Sequence, residues 1–267
     1  MKNFGLLGCN ISYSFSPTLH NEIFQNIKLP YTYNIFDFSK EKISLLVNDL
    51  KKDKISGFNV TTPYKEIIIS FLDEISPEAL SIGAVNCVSI KNSKIIGFNT
   101  DYYGLIKTYK KMGINLKNKK VIILGSGGAA KAVLKSIIDL GGNPTIVSRN
   151  SKLKFSNFKN IPVISYDELK NQSGFLLVNA TPVGTFPNIE TSPVEKSIIQ
   201  NFDFLLDLIY NPKETLFLKY GKELGKKIQN GFYMLVAQGV KSEEIWNNIQ
   251  IDTDIIYEKL LDKVYKD

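Results

Sequence analysis

With 267 residues, 43% apolar and 22% charged, the chain has the composition of an ordinary soluble globular protein, long enough for two modest domains or one large one. No apolar run approaches the ~20 residues of a membrane span, and the N-terminus shows no signal-peptide h-region or cleavage site, so the expected compartment is the cytoplasm. Two cysteines and one histidine make neither a disulfide framework nor a His-based metal site, so no metal is expected. The formal charge of +7 is spread along the chain and accompanies no nucleic-acid-binding motif, so neither nucleic acid nor a membrane is an expected partner. Of the 33 basic residues, all but Arg149 are Lys. Under such a bias a planar guanidinium persists where lysine does not serve, chiefly at phosphates, carboxylates and stacking surfaces.

The elements alternate from the start. Phe4 to Gly8 reads as a short buried strand, followed by the loop Cys9 to Phe15. Ser16-Pro17 carries the cap-plus-proline signature of a helix start, and the helix to about Ile27 places Leu19, Ile23, Phe24 and Ile27 on one face. A strand (31–36), a helix (about 40–51) and a strand ending at Asn59-Val60-Thr61 follow. Thr62-Pro63 repeats the signature, predicting Thr62 as N-cap and a helix from Pro63 to about Glu74. That count puts Lys65 in the first turn, where a capping box carries Glu or Gln and the helix dipole favours the neutral amine. Local rules tend to be broken at functional sites; the plain alternative is an exposed lysine in a lysine-rich chain. Residues 85–90 and 95–98 read as an antiparallel hairpin, and Asn99-Thr100-Asp101 opens another helix. The alternation predicts an α/β fold with a mainly parallel sheet, whose ligands gather at the carboxyl ends of the strands. Ser14, Ser16, Thr61 and Lys65 would sit there.

A second unit begins near Asn118. Val121 to Leu124 is a buried strand, followed by Gly125-Ser126-Gly127-Gly128-Ala129-Ala130, a helix to about Leu140, and a strand (145–148) that ends at Arg149. This places a G-x-G-x-x-A fingerprint in the strand–turn–helix context that a dinucleotide site requires, with glycines for the tight turn and a helix N-terminus for the pyrophosphate. The end of that second strand decides the cofactor. An acidic residue there binds the ribose hydroxyls of NAD, and an arginine accommodates the 2′-phosphate of NADP; Arg149 stands there, with Lys152 and Lys154 close behind. Further strands (175–180, 204–208, 227–229) predict a Rossmann-type, doubly wound domain. Thr181-Pro182-Val183-Gly184 leaves a strand's carboxyl end and would face the cofactor. The last helix, about Thr253 to Val264, must bury Ile255, Ile256, Leu260 and Val264, and is expected to pack back on the first domain. The expected division is 1–101 plus about 240–267, and about 102–239.

Taken together, Ser14-Phe15-Ser16-Pro17 with His20-Asn21, Asn59 to Lys65, Gly83 to Asn86, Asn99 to Gly104, the glycine fingerprint, Asn179 to Gly184, Tyr210-Asn211-Pro212 and Gly231-x-x-Met234-Leu235-x-x-Gln238 resemble the shikimate dehydrogenase family over nearly the full length. The resemblance implies an oxidoreductase of aromatic amino acid biosynthesis that reversibly reduces 3-dehydroshikimate to shikimate with NADP. It implies a catalytic pair, Lys65 and Asp101, with Lys65 as general acid in reduction and general base in oxidation. Substrate contacts would come from Ser14 and Ser16 to the carboxylate and from Thr61, Lys65, Asn86, Asp101, Tyr210 and Gln238 to the ring. The NADP site would comprise Gly125, Ser126, Gly127, Gly128, Ala129, Ser148, Arg149, Lys152, Leu208 and Gly231.

The chain departs from the family pattern at two places. Cys9-Asn10-Ile11-Ser12-Tyr13 puts Tyr13 where His is common, which leaves His20 a structural reading. Ser148-Arg149-Asn150-Ser151-Lys152-Leu153 moves the distal cation to Lys152 or Lys154. Two other readings stand beside the first: a quinate/shikimate dehydrogenase with relaxed cofactor use, and a non-catalytic NADP-binding regulator on the same fold. A monomer or homodimer is expected.

Overall fold

Alternating apolar stretches pair into two sheets, each of six strands among the described residues, in a computed structural model that describes residues 1–12, 14–150, 152, 157–158 and 160–265. Tyr13 and Lys154 lie outside the described residues. The chain divides into two units, one formed by Met1–Gly104 and the chain from Val236 onward, the other by Leu105–Leu235.

In the first unit the strands are β1 (Asn3–Gly8), β2 (Thr32–Asp37), β3 (Gly57–Val60), β4 (Glu74–Ile75), β5 (Cys87–Lys91) and β6 (Lys94–Phe98). The helices are α1 (Ser16–Asn26), α2 (Ile43–Lys51, led by a 3-10 turn), α3 (Pro77–Ile82) and α4 (Thr100–Lys111), the last running into the second unit. The sheet order is β2-β1-β3-β5-β6-β4. Pairing is parallel except for the two antiparallel partners of β5, so the sheet is mixed. The β5–β6 hairpin turns at Asn92 and Ser93, both at positive φ, the backbone a two-residue hairpin loop requires. In register, Leu7 lies beside Val60, Asn59 beside Cys87 and Cys87 beside Phe98. The carboxyl ends of β1, β3 and β6 and the start of β5 therefore share one edge of the sheet.

Two expectations fail here. Residues 63–74 do not form a helix: the Thr62–Pro63 peptide is cis, residues 62–66 turn, and only a 3-10 segment, Ile67–Phe71, follows before β4. Side-chain burial and non-local backbone bonds outweigh the capping signature. Tyr64 is buried with its hydroxyl donating to the Phe38 carbonyl at 2.8 Å, and the Val85 amide donates to the Lys65 carbonyl at 2.8 Å. Ser16 is likewise not an N-cap. Phe15 occupies that position without a side-chain bond, and the Ser16 hydroxyl is engaged with Ser14 instead.

The second unit is a parallel, doubly wound sheet. Its strands are β7 (Lys120–Leu124), β8 (Asn143–Val147), β9 (Val163–Ile164), β10 (Gly174–Asn179), β11 (Phe202–Asp207) and β12 (Lys227–Gln229), in the order β12-β11-β10-β7-β8-β9. Its helices are α5 (Gly128–Asp139), α6 (Tyr166–Leu169), α7 (Lys196–Ile199) and α8 (Leu216–Glu223). The winding reverses between β7 and β10, the switch point where such sheets hold ligands. A core of Ile122, Leu124, Val147, Leu177, Leu205 and Phe217 lies under one face.

Helix α9 (Phe232–Asn247) carries the chain back to the first unit, and α10 (Thr253–Val264) follows. Trp246 stacks on Phe4 with ring centroids 4.6 Å apart and donates its indole N–H to the Val88 carbonyl at 2.9 Å. Gly57 makes that approach feasible, since a Cβ there would stand 2.5 Å from the indole nitrogen. Helix α10 packs on α1, as expected, and pairs Lys263 with Glu22. It buries Ile256 and Leu260 but leaves Ile255 49% exposed, because a single apolar stripe suffices to cover the α1 contact.

Candidate active site

The turn after β3 and the first turn of α4 leave neighbouring positions on the same sheet edge, and this brings Lys65 to Asp101. The Lys65 ammonium lies 2.6 Å from Asp101 Oδ2, with the two side chains 19% and 11% exposed. The helix expected to begin at Pro63 is absent, so the dipole expected to act on Lys65 is absent with it. The carboxylate is the group in contact. Asp101 itself occupies the first turn of α4, the end of a helix that favours a negative charge.

Asn86 holds this carboxylate in place. Its amide nitrogen donates to Asp101 Oδ1 at 2.9 Å and to the Thr100 hydroxyl at 3.0 Å, while its oxygen accepts from the Thr100 amide at 2.6 Å. The buried Thr100 hydroxyl is also within reach of Gln238 Oε1 at 3.4 Å and of Ser242 Oγ at 3.3 Å. Ser242 donates to the Gln238 carbonyl and accepts from Asn59 Nδ2 at 2.8 Å. Asp101, Asn86, Thr100, Gln238 and Asn59 thus form one hydrogen-bonded set. Thr61 follows β3 directly, its amide bound to the Leu7 carbonyl at 2.9 Å.

The serine pair is set by a local turn. Ser14 Oγ accepts from the Ser16 amide and donates to Ser16 Oγ, both at 3.2 Å. Behind it stands Tyr33, a buried residue with no signal in the sequence motifs. Its hydroxyl donates to Asn59 Oδ1 at 2.8 Å, and its pKa is driven well above the ordinary value by burial and next by the Glu243 carboxylate, with the Ser16 hydroxyl opposing. His20 stacks on the Tyr33 ring at 3.9 Å and pairs through Nδ1 with buried Glu243 at 2.6 Å, consistent with a structural role. Burial raises the Glu243 pKa and the His20 contact opposes the rise. Tyr210 lies in the second unit, beyond β11.

In the second unit, a cavity of about 570 Å³ lies at the switch point. It is lined by Gly125, Ser126 and Gly127 after β7, by Ser148 and Arg149 after β8, by Tyr166, and by Thr181 to Val183 after β10. Gly125 has φ +102, and a Cβ would stand 3.0 Å from the Ala180 carbonyl oxygen, so the fingerprint turn requires glycine there. A Cβ at Gly127 would meet nothing within 4 Å, which leaves that backbone open to a ligand. Gly128 and Ala129 form the first turn of α5, with their free amides at its N-terminus. These features fit a dinucleotide pyrophosphate. Lys152 is not among the residues lining this cavity, and neither are Leu208 and Gly231, which abut one another: a Cβ on Gly231 would lie 2.1 Å from the Leu208 carbonyl oxygen. Tyr166 is a lining residue that the motifs did not single out. The signal nearest to it was the capping box of Ser165 and Glu168, which places it at the start of α6.

A family model for the shikimate dehydrogenase substrate binding domain matches residues 6–88. A Clostridium perfringens protein named shikimate dehydrogenase (NADP+) is 43% identical over 267 residues, covering 97% of this chain and 98% of its own. One of the same name from Methanococcus maripaludis is 40% identical over 273 residues, 98% of each chain. Among solved structures, shikimate dehydrogenase 1 of Peptoclostridium difficile is 46% identical with a TM-score of 0.91, covering 97% of this chain and 98% of that one. The Thermus thermophilus shikimate 5-dehydrogenase, solved in complex with NADP(H) and shikimate, is 30% identical with a TM-score of 0.88, covering 97% and 98%.

Proposed function

The chain belongs to the shikimate dehydrogenase family, and from that membership we infer that it is an NADP-dependent oxidoreductase interconverting 3-dehydroshikimate and shikimate, a step of aromatic amino acid biosynthesis. The observation that carries the reading is the Lys65–Asp101 pair at 2.6 Å, braced by Asn86 at the edge of the first sheet. When bound, a nicotinamide cofactor would supply hydride in reduction and accept it in oxidation.

In reduction, Lys65 as an ammonium donates a proton to the oxygen of the reacting carbon and stabilises the negative charge that develops there. In oxidation it accepts that proton as the amine. Asp101, 2.6 Å away, orients the Lys65 side chain. Ser14 and Ser16 offer two hydroxyls at the start of α1 to the substrate carboxylate, while Thr61, Asn86, Asp101, Gln238 and Tyr210 meet the ring hydroxyls. Gly125 to Ala129 would hold the pyrophosphate and Arg149 the 2′-phosphate, with Ser148, Lys152, Leu208 and Gly231 completing the NADP site. A regulator that only binds the dinucleotide has no need of an ion pair placed for proton transfer. A cytoplasmic location and a monomeric or homodimeric state belong to the same reading; no helix of the described residues is long and apolar enough to cross a membrane.

The test is an absorbance assay of NADP+ and NAD+ reduction, first with shikimate and then with quinate. Turnover is expected with shikimate and NADP+. Absence of turnover with both acids and both cofactors would remove the enzymatic reading.

A further inference from the structure

In the second unit, β8 and the short β9 run side by side, with the Ile146 amide bound to the Pro162 carbonyl at 2.9 Å and the Ser148 amide to the Ile164 carbonyl at 3.0 Å. This ladder fixes Ser148 and Arg149 relative to the chain that enters α6 two residues after Ile164. There the Ser165 amide donates to Glu168 Oε2 at 2.7 Å and the Glu168 amide to Ser165 Oγ at 3.2 Å, a reciprocal cap that sets the backbone from which Tyr166 projects. The Tyr166 ring packs against the core of the unit, and Tyr166 and Arg149 both line the cavity.

The side-chain donors lining this cavity are Ser126, Ser148, Arg149, Tyr166, Thr181 and Ser192, and the Thr181 hydroxyl is committed to Asn179 Oδ1 at 2.7 Å. Arg149 is the charged residue among the described residues that line it. Ser148 Oγ accepts from the Asn150 amide at 3.2 Å, and its own proton meets no acceptor among the described residues. The Ser192 proton is committed to the Val194 carbonyl at 2.7 Å. Burial raises the Tyr166 phenol above its ordinary pKa while the Arg149 charge opposes the rise, so at neutral pH it remains a neutral O–H donor close enough to feel the guanidinium. A phosphate monoester presents three strong acceptor oxygens. A guanidinium fork engages two of them, and hydroxyl donors suit the rest.

We propose that Tyr166 is a further specificity-determining residue of the dinucleotide site, its phenol donating to the 2′-phosphate that Arg149 holds. The proposal rests on the NADP reading above. A dinucleotide with a plain 2′-hydroxyl offers Tyr166 no anionic acceptor, so the residue discriminates by what it gains with the phosphate.

Isothermal titration of the full chain with adenosine 2′,5′-bisphosphate and with adenosine 5′-monophosphate separates the two claims without turnover. The wild type is expected to prefer the bisphosphate. Tyr166→Phe keeps the ring and should lose about tenfold of affinity for the bisphosphate, the scale of a hydrogen bond to a charged group, with the monophosphate unchanged. Arg149→Ala should lose more of the same preference. If the wild type prefers the bisphosphate and Tyr166→Phe keeps that preference within twofold, or weakens both nucleotides equally, the role assigned to Tyr166 is wrong. A wild type without preference overturns the NADP reading and the proposal with it.

Discussion

Asn86 shows how much of the candidate site depends on the orientation of single groups. Its amide nitrogen reaches Asp101 and Thr100, and its oxygen is fixed by the Thr100 backbone, so the side chain cannot turn without breaking three bonds. The proposed role of Asn86 toward ring hydroxyls is therefore joined to a second one, holding Asp101 against Lys65. For Asn86→Ala we expect kcat to fall about tenfold or more while the KM for shikimate changes less, since a catalytic group held out of alignment costs more in the transition state than in binding. Steady-state kinetics check this; a large rise in KM at unchanged kcat would assign Asn86 to substrate binding alone. At this scale the sequence was informative where a residue belonged to a motif. Lys65 and Arg149 were named from their places in the chain, Asn86 and Asp101 from the family motifs that the chain resembles. Tyr33 and Tyr166 were not, because each reaches its site from another strand or helix start, and no spacing along the chain encodes that approach.

The elements show where local signals prevailed and where they were overruled. The fingerprint turn, the β5–β6 hairpin and α10 were legible because each is specified within a dozen residues by glycines, a turn pair or apolar periodicity. The segment 63–74 was not: Thr62-Pro63 signals a helix start, but the burial of Tyr64 and the bond from Val85 to Lys65 are long-range and decide otherwise. The pieces β4, β9, α3, α6 and α7, of two to six residues, are too short to show a period.

The end of β11 carries a further consequence. Asp207 is fully buried and accepts from Asn179 Nδ2 at 3.0 Å, the Ile209 amide at 3.0 Å and the Thr215 hydroxyl at 2.6 Å. Asn179 in turn binds Thr181 and Val183, so one carboxylate organises the loops after both β10 and β11. Burial pushes its pKa from 3.8 up to about 7, against the three hydrogen bonds. With the folded pKa above the unfolded one, the native state binds the extra proton. The group's contribution is fully present below about pH 4 and is lost as pH rises to about 7. The loss is on the order of a few kcal/mol, because each tenfold change in proton affinity is worth about 1.36 kcal/mol. Asp207→Asn cannot ionise, so its melting temperature relative to the wild type should rise between pH 5 and pH 8. A difference independent of pH would show that Asp207 does not titrate in that window.

For the whole molecule, each unit carries one half of the proposed reaction: the first holds the Lys65–Asp101 pair and the serines, the second the dinucleotide cavity. The two-unit organisation was readable because the G-x-G-x-x-A turn announces a Rossmann-type unit wherever it begins. The chain crosses from one unit to the other at Gly104–Leu105 and Leu235–Val236. Those points fall inside α4 and α9, where helical periodicity gives no sign of a boundary. The single tryptophan, Trp246, lies in the first unit and reports its unfolding. Shikimate at a hundred times its Kd should stabilise that unit by about 2.7 kcal/mol and shift the tryptophan-monitored denaturation midpoint upward. An unmoved midpoint would place the substrate elsewhere.

In the proposed reaction Lys65 moves the proton that accompanies hydride exchange with a nicotinamide. Initial rates of shikimate-dependent NADP+ reduction for the wild type and Lys65→Ala test it most directly. Turnover by the wild type and a kcat at least ~10²-fold lower for the variant, with shikimate still bound, are expected. A Lys65→Ala enzyme that turns over at the wild-type rate would contradict this role.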